Sequence, residues 1–220
     1  MKSTSPLTIT ISRQLGSGGA YIGKQLAKKL NILYADNEII CQVAKQLSVL
    51  EEDLELRDEK IASFWESFLQ FCTFCNIETY NSPLQPIVPT SRELFKEESK
   101  IIEHIAKECS AVIIGRCGSH ILQNHPNHVS IFLHGSFEFR KKRIQKIYRI
   151  SEKTAADLIN KSDIQRTHYH KTFTQKQWTD ANQYDISMDT SKIGISKSIE
   201  LILKYLDIHG CEIKPDSSEF

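Results

Sequence analysis

The chain has 220 residues, of which 40% are hydrophobic and 25% charged, and a formal net charge of +1. This profile fits a soluble globular protein with a real core, as one large α/β domain or two small ones, and excludes a polyanion-coating protein or a polybasic membrane anchor. No apolar run approaches the ~20 residues needed to cross a bilayer, no signal pattern precedes the first apolar run, and Cys41, Cys72, Cys75, Cys109, Cys117 and Cys211 lack the spacing of a disulfide framework; reduced thiols in a cytoplasmic protein are expected.

Residues 7–11 form the first apolar run and read as a buried parallel strand. A glycine cluster follows, then an amphipathic helix over Gly19–Leu30 with Ile22, Leu26, Ala27 and Leu30 on one face. Strand, glycine turn and helix in this order suit a phosphate-binding loop. Gly16, Gly18 and Gly19 admit positive φ and let backbone N–H groups approach an anion, and the helix adds its positive N-terminal dipole. Ser17, Ala20 and Tyr21 belong to the same candidate nucleotide site. Such loops normally close with Gly-Lys-Ser or Gly-Lys-Thr, whereas this one has Gly18-Gly19-Ala20, which removes a point charge and a hydroxyl ligand for Mg²⁺. Arg13, just ahead of the loop, is the obvious substitute, because its guanidinium offers bidentate donors; the alternative is a pair with Asp36. Lys24 is expected to point to solvent.

The second strand, residues 32–35, ends at Asp36, which either orders a metal-bound water or ribose hydroxyl, or caps the helix that starts at Asn37. The stretch before the third strand is too long for one crossover helix, and residues 48–92 read as a helical insertion. It holds an acidic run, an aromatic helix with Phe64, Phe68, Phe71 and Cys75 on one face, and the proline-broken loop Ser82-Pro-Leu-Gln-Pro-Ile-Val-Pro89. Cys72 and Cys75 form a lone pair where zinc needs about four ligands, so a structural role is expected.

An apolar-striped helix over Arg92–Glu108 leads into the third strand, Ala111–Ile114, and Arg116 stands at that strand's C-terminal end, where open sheets bind ligands. It reads as an anion contact or as half of a fold-stabilising ion pair. After the fourth strand, residues 129–133, Ser136 caps a helix to about residue 149 and Ser151 caps another to about residue 170. Arg140 shares the apolar face of the first with Phe137, Ile144 and Ile147, and Arg143 lies a turn on. Ile159, Asp163, Arg166 and His170 share a face of the second, where Asp163 and Arg166 admit a plain surface bridge. The His168-Tyr-His170 run is expected on the surface. Residues 140–178 thus form a helical lid, followed by a fifth strand at 184–188, a loop Thr190-Ser-Lys-Ile193, a last helix striped by Ile195, Ile199, Ile202, Leu203 and Leu206, and a polar tail at 208–220. Alternating strands and helices predict one α/β domain over residues 1–207, a doubly wound five-stranded parallel sheet with helices on both faces.

Five segments together resemble the cytidylate kinase-like family of P-loop nucleoside monophosphate kinases: Ile11-Ser-Arg-Gln-Leu-Gly-Ser-Gly-Gly19, Tyr34-Ala-Asp-Asn-Glu-Ile-Ile40, Val112-Ile-Ile-Gly-Arg-Cys117, Asp163-Ile-Gln-Arg166 with Tyr169, and Trp178 with Tyr184-Asp-Ile-Ser-Met-Asp-Thr-Ser191. The resemblance implies a P-loop fold with a helical insertion that binds the nucleoside monophosphate. It also implies ATP and Mg²⁺ as cofactors and CMP or dCMP as acceptor, with no resident metal, nucleic acid or membrane partner, and it leaves a homodimer open. By the same resemblance Arg116, Asp36 and Asp163 meet the acceptor, Arg13, Arg140, Arg143 and Arg166 surround the transferring phosphoryl group, and Thr190 and Ser191 lie where related kinases hold adenine. The chain departs from cytidylate kinases at Gly19 and Ala20, at Cys117 where they have Asp, at Gln42 near an expected arginine, and at Ile159 where a lid arginine is expected. Two rivals share the fold: a nucleotide sensor with weak or no transfer, and a kinase for a different small acceptor.

Overall fold

A computed structural model describes residues 5–36, 39, 40, 43, 65 and 92–210. The elements among them run β1 (Thr8–Arg13), α1 (Gly19–Leu30), β2 (Leu33–Ala35), α2 (Arg92–Glu108), β3 (Ala111–Ile114), α3 (Gly118–Ile121), β4 (His128–His134), α4 (Phe137–Tyr148) and α5 (Glu152–Thr174). A 3₁₀ turn (Ala181–Gln183), β5 (Ile186–Asp189), α6 (Thr190–Ile193) and α7 (Ile195–Ile208) complete the order. The five strands are all parallel, in the order β2-β3-β1-β4-β5. Because β1 lies between β3 and β4, the connection leaving β1 runs toward β2 on one side of the sheet order and the connection leaving β3 runs back toward β4 on the other. The C-terminal ends of β1, β3 and β4 therefore open onto one crevice.

Strands this apolar are buried on both faces, and side chains alternate between two cores. On one face Ile9, Ile11, Val112, Ile114, Ile131 and Leu133 meet Ile22 and Leu26 of α1 and Ile199, Ile202 and Leu206 of α7. On the other, Ala111 and Ile113 meet Ile101, Ile102, Ile105 and Ala106 of α2. Phe132, Trp178 and Tyr184 form a separate aromatic cluster, in which the Tyr184 hydroxyl donates to the carbonyl of Trp178.

The helix boundaries follow from their caps. Ser136 accepts from the N–H of Phe139, and Ser151 from that of Thr154. Helix α5 extends a turn beyond residue 170, because Thr174 Oγ1 donates to the His170 carbonyl, and it stops where Gln175 turns left-handed at φ 62°. Arg149, which ends α4, is left-handed too, at φ 54°. Tyr184 ends the 3₁₀ turn, so β5 starts two residues later than expected, at Ile186. The stretch Thr190–Ile193 is a single helical turn rather than a loop, because Asp189 accepts from the N–H of Ser191. The expected insertion and its cysteine pair, the tail beyond residue 210 and Gln42 lie outside the described residues. Among the described residues no helix is long and apolar enough to cross a membrane.

Two surface expectations are corrected. Lys24 is half-buried and lies 5.6 Å from the centroid of the Tyr34 ring. His170 is buried, with Nδ1 against Thr174 Oγ1 at 2.9 Å and the Lys176 carbonyl at 3.3 Å, while His168 is exposed as expected.

His128 on β4 places Nε2 2.7 Å from Thr10 Oγ1, and burial pushes its pKa down to about 4 against a partial counter-pull from Asp185. The folded protein thus holds this imidazole neutral while the unfolded chain protonates it near pH 6.5. Its stabilisation is complete above that pH and is lost as pH falls toward 4. Between pH 7 and 4.5 the wild type is expected to lose about 2 kcal/mol more stability than His128→Gln, as read by urea unfolding at both pH values. Equal losses in the two proteins would show that His128 is not the acid-sensitive group.

Candidate phosphate-binding site

The glycine loop is shaped by close contacts as well as by dihedral angles. Gly16 and Gly18 are left-handed at φ 88° and 89°. A Cβ at Gly16 would lie 2.8 Å from the carbonyl oxygen of Arg140, so the loop rests directly on the backbone of α4. One at Gly18 would strike Ile195 Cδ1 at 2.3 Å, with Arg143 Nη2 3.8 Å away. Ser17 is turned inward, its hydroxyl and N–H both donating to the Gln14 carbonyl at 2.8 and 3.2 Å. Gly18 caps α1 without a side-chain bond, leaving the helix's first N–H groups to the loop's concavity. Ala20 and Tyr21 are exposed on the first turn.

Arg13 ends β1 and crosses from the loop to the opposite side of the crevice. A Cβ on Gly19 would lie 2.6 Å from Arg13 Cβ, and one on Gly115 would lie 2.1 Å from Arg13 Nη1. The side chain therefore spans from α1, where its Cβ and Cγ lie against Gly19, to the end of β3, where its guanidinium lies against Gly115. Burial lowers its pKa, while Tyr34 and Asp36 pull it back up and Arg116 pushes it further down. Asp36 caps the following helix, accepting from the Ile39 N–H at 3.3 Å, which is one of the two readings left open for it.

Past β3 the backbone stays left-handed for three residues, Gly115, Arg116 and Cys117, at φ 80°, 50° and 54°. For the two non-glycine residues that conformation costs roughly 1–2 kcal/mol each and is characteristic of positions over-determined by their surroundings. Here the surroundings are Glu98 and Tyr169. Arg116 Nη2 lies 3.4 Å from Glu98 Oε1 and its guanidinium 5.3 Å from the Tyr169 ring centroid. Tyr169 donates to Glu98 Oε2 at 3.2 Å and packs edge-on against Phe173, which stacks on Phe95. Burial pushes the Cys117 thiol up to about 12, so it stays protonated. Sequence reading missed Glu98. The signal was its place on the apolar stripe of α2, between Leu94 and Ile101, where a carboxylate needs a partner.

The lid arginines divide. Arg140 is a clamp: Nε donates to the Gly135 carbonyl at 3.0 Å, and Nη1 donates to the Leu15 carbonyl at 3.3 Å and to Asp163 Oδ2 at 2.8 Å. Asp163 thus pairs across helices rather than with Arg166 on its own. Arg166 keeps Nη1 buried with no hydrogen-bond partner among the described residues. Burial, then Arg13 and Arg140, push its pKa down to about 9 against the pull of Asp163. Arg143 is lowered by burial and sits near Tyr21. Thr190 is fully buried, donating to the His134 carbonyl at 2.9 Å, and Ser191 Oγ lies 2.5 Å from Asp189 Oδ1. Both hydroxyls expected beside a base are thus engaged within the fold. Among the described residues the crevice gathers Arg13, Arg116, Arg140, Arg143 and Arg166 with Asp36, Glu98 and Asp163, a set of guanidiniums suited to an anion.

Five parallel strands in this order, with a glycine loop between the first strand and its helix, form an open α/β sheet that places the loop at the carboxyl ends of the strands. The chain belongs to the cytidylate kinase-like family, whose model matches residues 8–192. A crystal structure of an uncharacterized protein from Eubacterium ventriosum superimposes with a TM-score of 0.67 at 26% identity, covering 91% of this chain and 98% of that one. A shikimate kinase from Bacteroides thetaiotaomicron (TM-score 0.48, 13% identity, 91% and 98% covered) and a gluconokinase from Sinorhizobium meliloti (0.47, 12%, 94% and 99%) are also similar. No curated protein matches the chain.

Proposed function

We propose that the protein transfers the γ-phosphoryl group of ATP to a nucleoside monophosphate, CMP or dCMP. The observation that carries this reading is the buried Nη1 of Arg166, which has no hydrogen-bond partner among the described residues and lies close to Arg13 and Arg140. A triphosphate fits there. Backbone N–H groups at the start of α1 bind it, Arg13 takes the part of the missing lysine, and Arg143 approaches the loop near Gly18. Mg²⁺ fits less well on this chain's own atoms. Ala20 brings no hydroxyl, and the described residues hold no group of three or more His, Cys, Asp or Glu that could bind an ion, so no step is assigned to a protein-held metal.

When bound, ATP supplies the phosphoryl group; what remains for the chain is positioning and charge. Arg166 neutralises the transferring group, Arg116 orients the acceptor's phosphate, and Asp163 keeps Arg140 on the loop while meeting the acceptor's sugar. Helix α5 over the crevice excludes water that would otherwise accept the phosphoryl group. A second reading, a nucleotide-binding protein with little or no transfer, is favoured by Ala20 and by the engagement of Arg140 in the fold.

Measurement of ADP release with each common ribo- and deoxyribonucleoside monophosphate separates these. Turnover with CMP or dCMP is expected; tight ATP binding without ADP release would favour the sensor, and activity only with another acceptor would reject cytidine nucleotides. Arg166→Ala is expected to lower turnover roughly a hundredfold while sparing ATP affinity. An unchanged rate would remove Arg166 from the chemistry.

A further inference from the structure

We propose that the Tyr34 hydroxyl is a second hydrogen-bond donor to the phosphate group that Arg13 holds, so that an arginine and a tyrosine together replace the lysine missing from the glycine loop. This rests on the reading that Arg13 meets the nucleotide's phosphates, and adds to it a residue of β2. Tyr34 is 9% exposed, and its hydroxyl is buried with no hydrogen-bond partner among the described residues. A buried hydroxyl left in this state carries a desolvation cost that a phenylalanine would avoid. Stability of the fold therefore favours Phe at this position, and the hydroxyl points to a use outside the fold.

Helix α1 sets this residue beside Arg13. Gly19 and Gly23 stand four residues apart and share one face of the helix. A Cβ at Gly19 would lie 2.6 Å from both Cβ and Cγ of Arg13, and one at Gly23 would lie 3.4 Å from Tyr34 Cε2. The two side chains thus rest on neighbouring turns of the same face, Arg13 arriving from the end of β1 and Tyr34 from β2. Arg13 runs on to Gly115 at the end of β3, the strand that separates those two in the sheet. Burial and then Asp36 raise the pKa of the phenol, and Arg13 draws it partly back, so the hydroxyl keeps its proton and can donate it. A phosphate oxygen seated against the guanidinium accepts a charge-assisted bond from Arg13 and a second bond from Tyr34, and gives the orphaned hydroxyl its acceptor. Being neutral, this second donor strengthens the grip on phosphate without a further buried charge to balance in the nucleotide-free protein.

The test compares wild type, Tyr34→Phe, Arg13→Ala and the double variant on the full chain, by calorimetry with ATP, inorganic triphosphate and adenosine, and by urea unfolding without ligand. Tyr34→Phe is expected to unfold at the same urea concentration as wild type or a higher one, and to bind ATP and inorganic triphosphate about tenfold more weakly. Adenosine, which has no phosphate, is expected to bind wild type and Tyr34→Phe alike. In the Arg13→Ala background the same substitution is expected to cost less than about threefold, because both donors act on one group. Unchanged affinity of Tyr34→Phe for the two phosphate ligands overturns the proposal, as does an equal loss with adenosine, which would move the contact to the nucleoside. Unfolding of Tyr34→Phe at a clearly lower urea concentration also overturns it, since the hydroxyl would then have its partner within the fold. Weaker binding in Arg13→Ala with none in Tyr34→Phe rejects the role of Tyr34 alone. Weaker binding in Tyr34→Phe with none in Arg13→Ala rejects Arg13 as the lysine's substitute and leaves the tyrosine's bond to phosphate standing.

Discussion

Arg13→Ala is expected to weaken ATP binding roughly thirtyfold, the worth of about 2 kcal/mol in charge-assisted hydrogen bonds, as measured by calorimetry with ATP alone. The side chain fills the space between Gly19 and Gly115, and no other described cation takes that path from the glycine loop to the end of β3. Lys24→Ala is the control. Its ammonium lies over the Tyr34 ring on the flank of α1, and its loss is expected to change ATP affinity by less than about threefold. Equal small effects of the two substitutions would remove Arg13 from the nucleotide site and with it the substitute for the loop's missing lysine.

Arg140→Ala is expected to cost about 3 kcal/mol of stability, read by urea unfolding. The guanidinium holds the carbonyls of Leu15 and Gly135 as well as Asp163, and removing it leaves two carbonyls and a largely buried carboxylate without their donor. Asp163→Asn keeps an acceptor for Arg140 and is expected to cost less. The double variant is expected to fall short of the sum of the two losses by more than about 1 kcal/mol, the sign of direct coupling. Additive losses would show that the pair contributes nothing beyond its separate contacts with the fold.

The sheet was legible because parallel strands buried on both faces read as short, continuous apolar runs, and each of the five appears within two residues of its expected position. The glycine loop was legible for a local reason as well: positive φ at Gly16 and Gly18 is a property of the residue type. Partners far apart in sequence were not. Asp163 and Arg166 share a face of α5, but Asp163 meets Arg140, which another helix brings within 2.8 Å. His170 reads as surface because residues two apart on a helix, His168 and His170, point apart, and it is buried where the extra helical turn to Thr174 gives its Nδ1 a partner. Thr190 and Ser191 read as free loop hydroxyls until the one-turn helix and the His134 carbonyl claim them.

Helix α5 is fastened along its length at Asp163 and Tyr169, yet the chain leaves right-handed geometry just ahead of it at Arg149 and just behind it at Gln175. A stiff rod with a corner at each end can pivot as one piece, its internal ladder of hydrogen bonds intact. The torsional work of such a swing would fall on a few dihedral angles at two residues distant from the chemistry. Glycine placed at either corner would relieve the left-handed geometry and ease the swing, whereas proline, held near a φ of about −65°, could not form the corner at all.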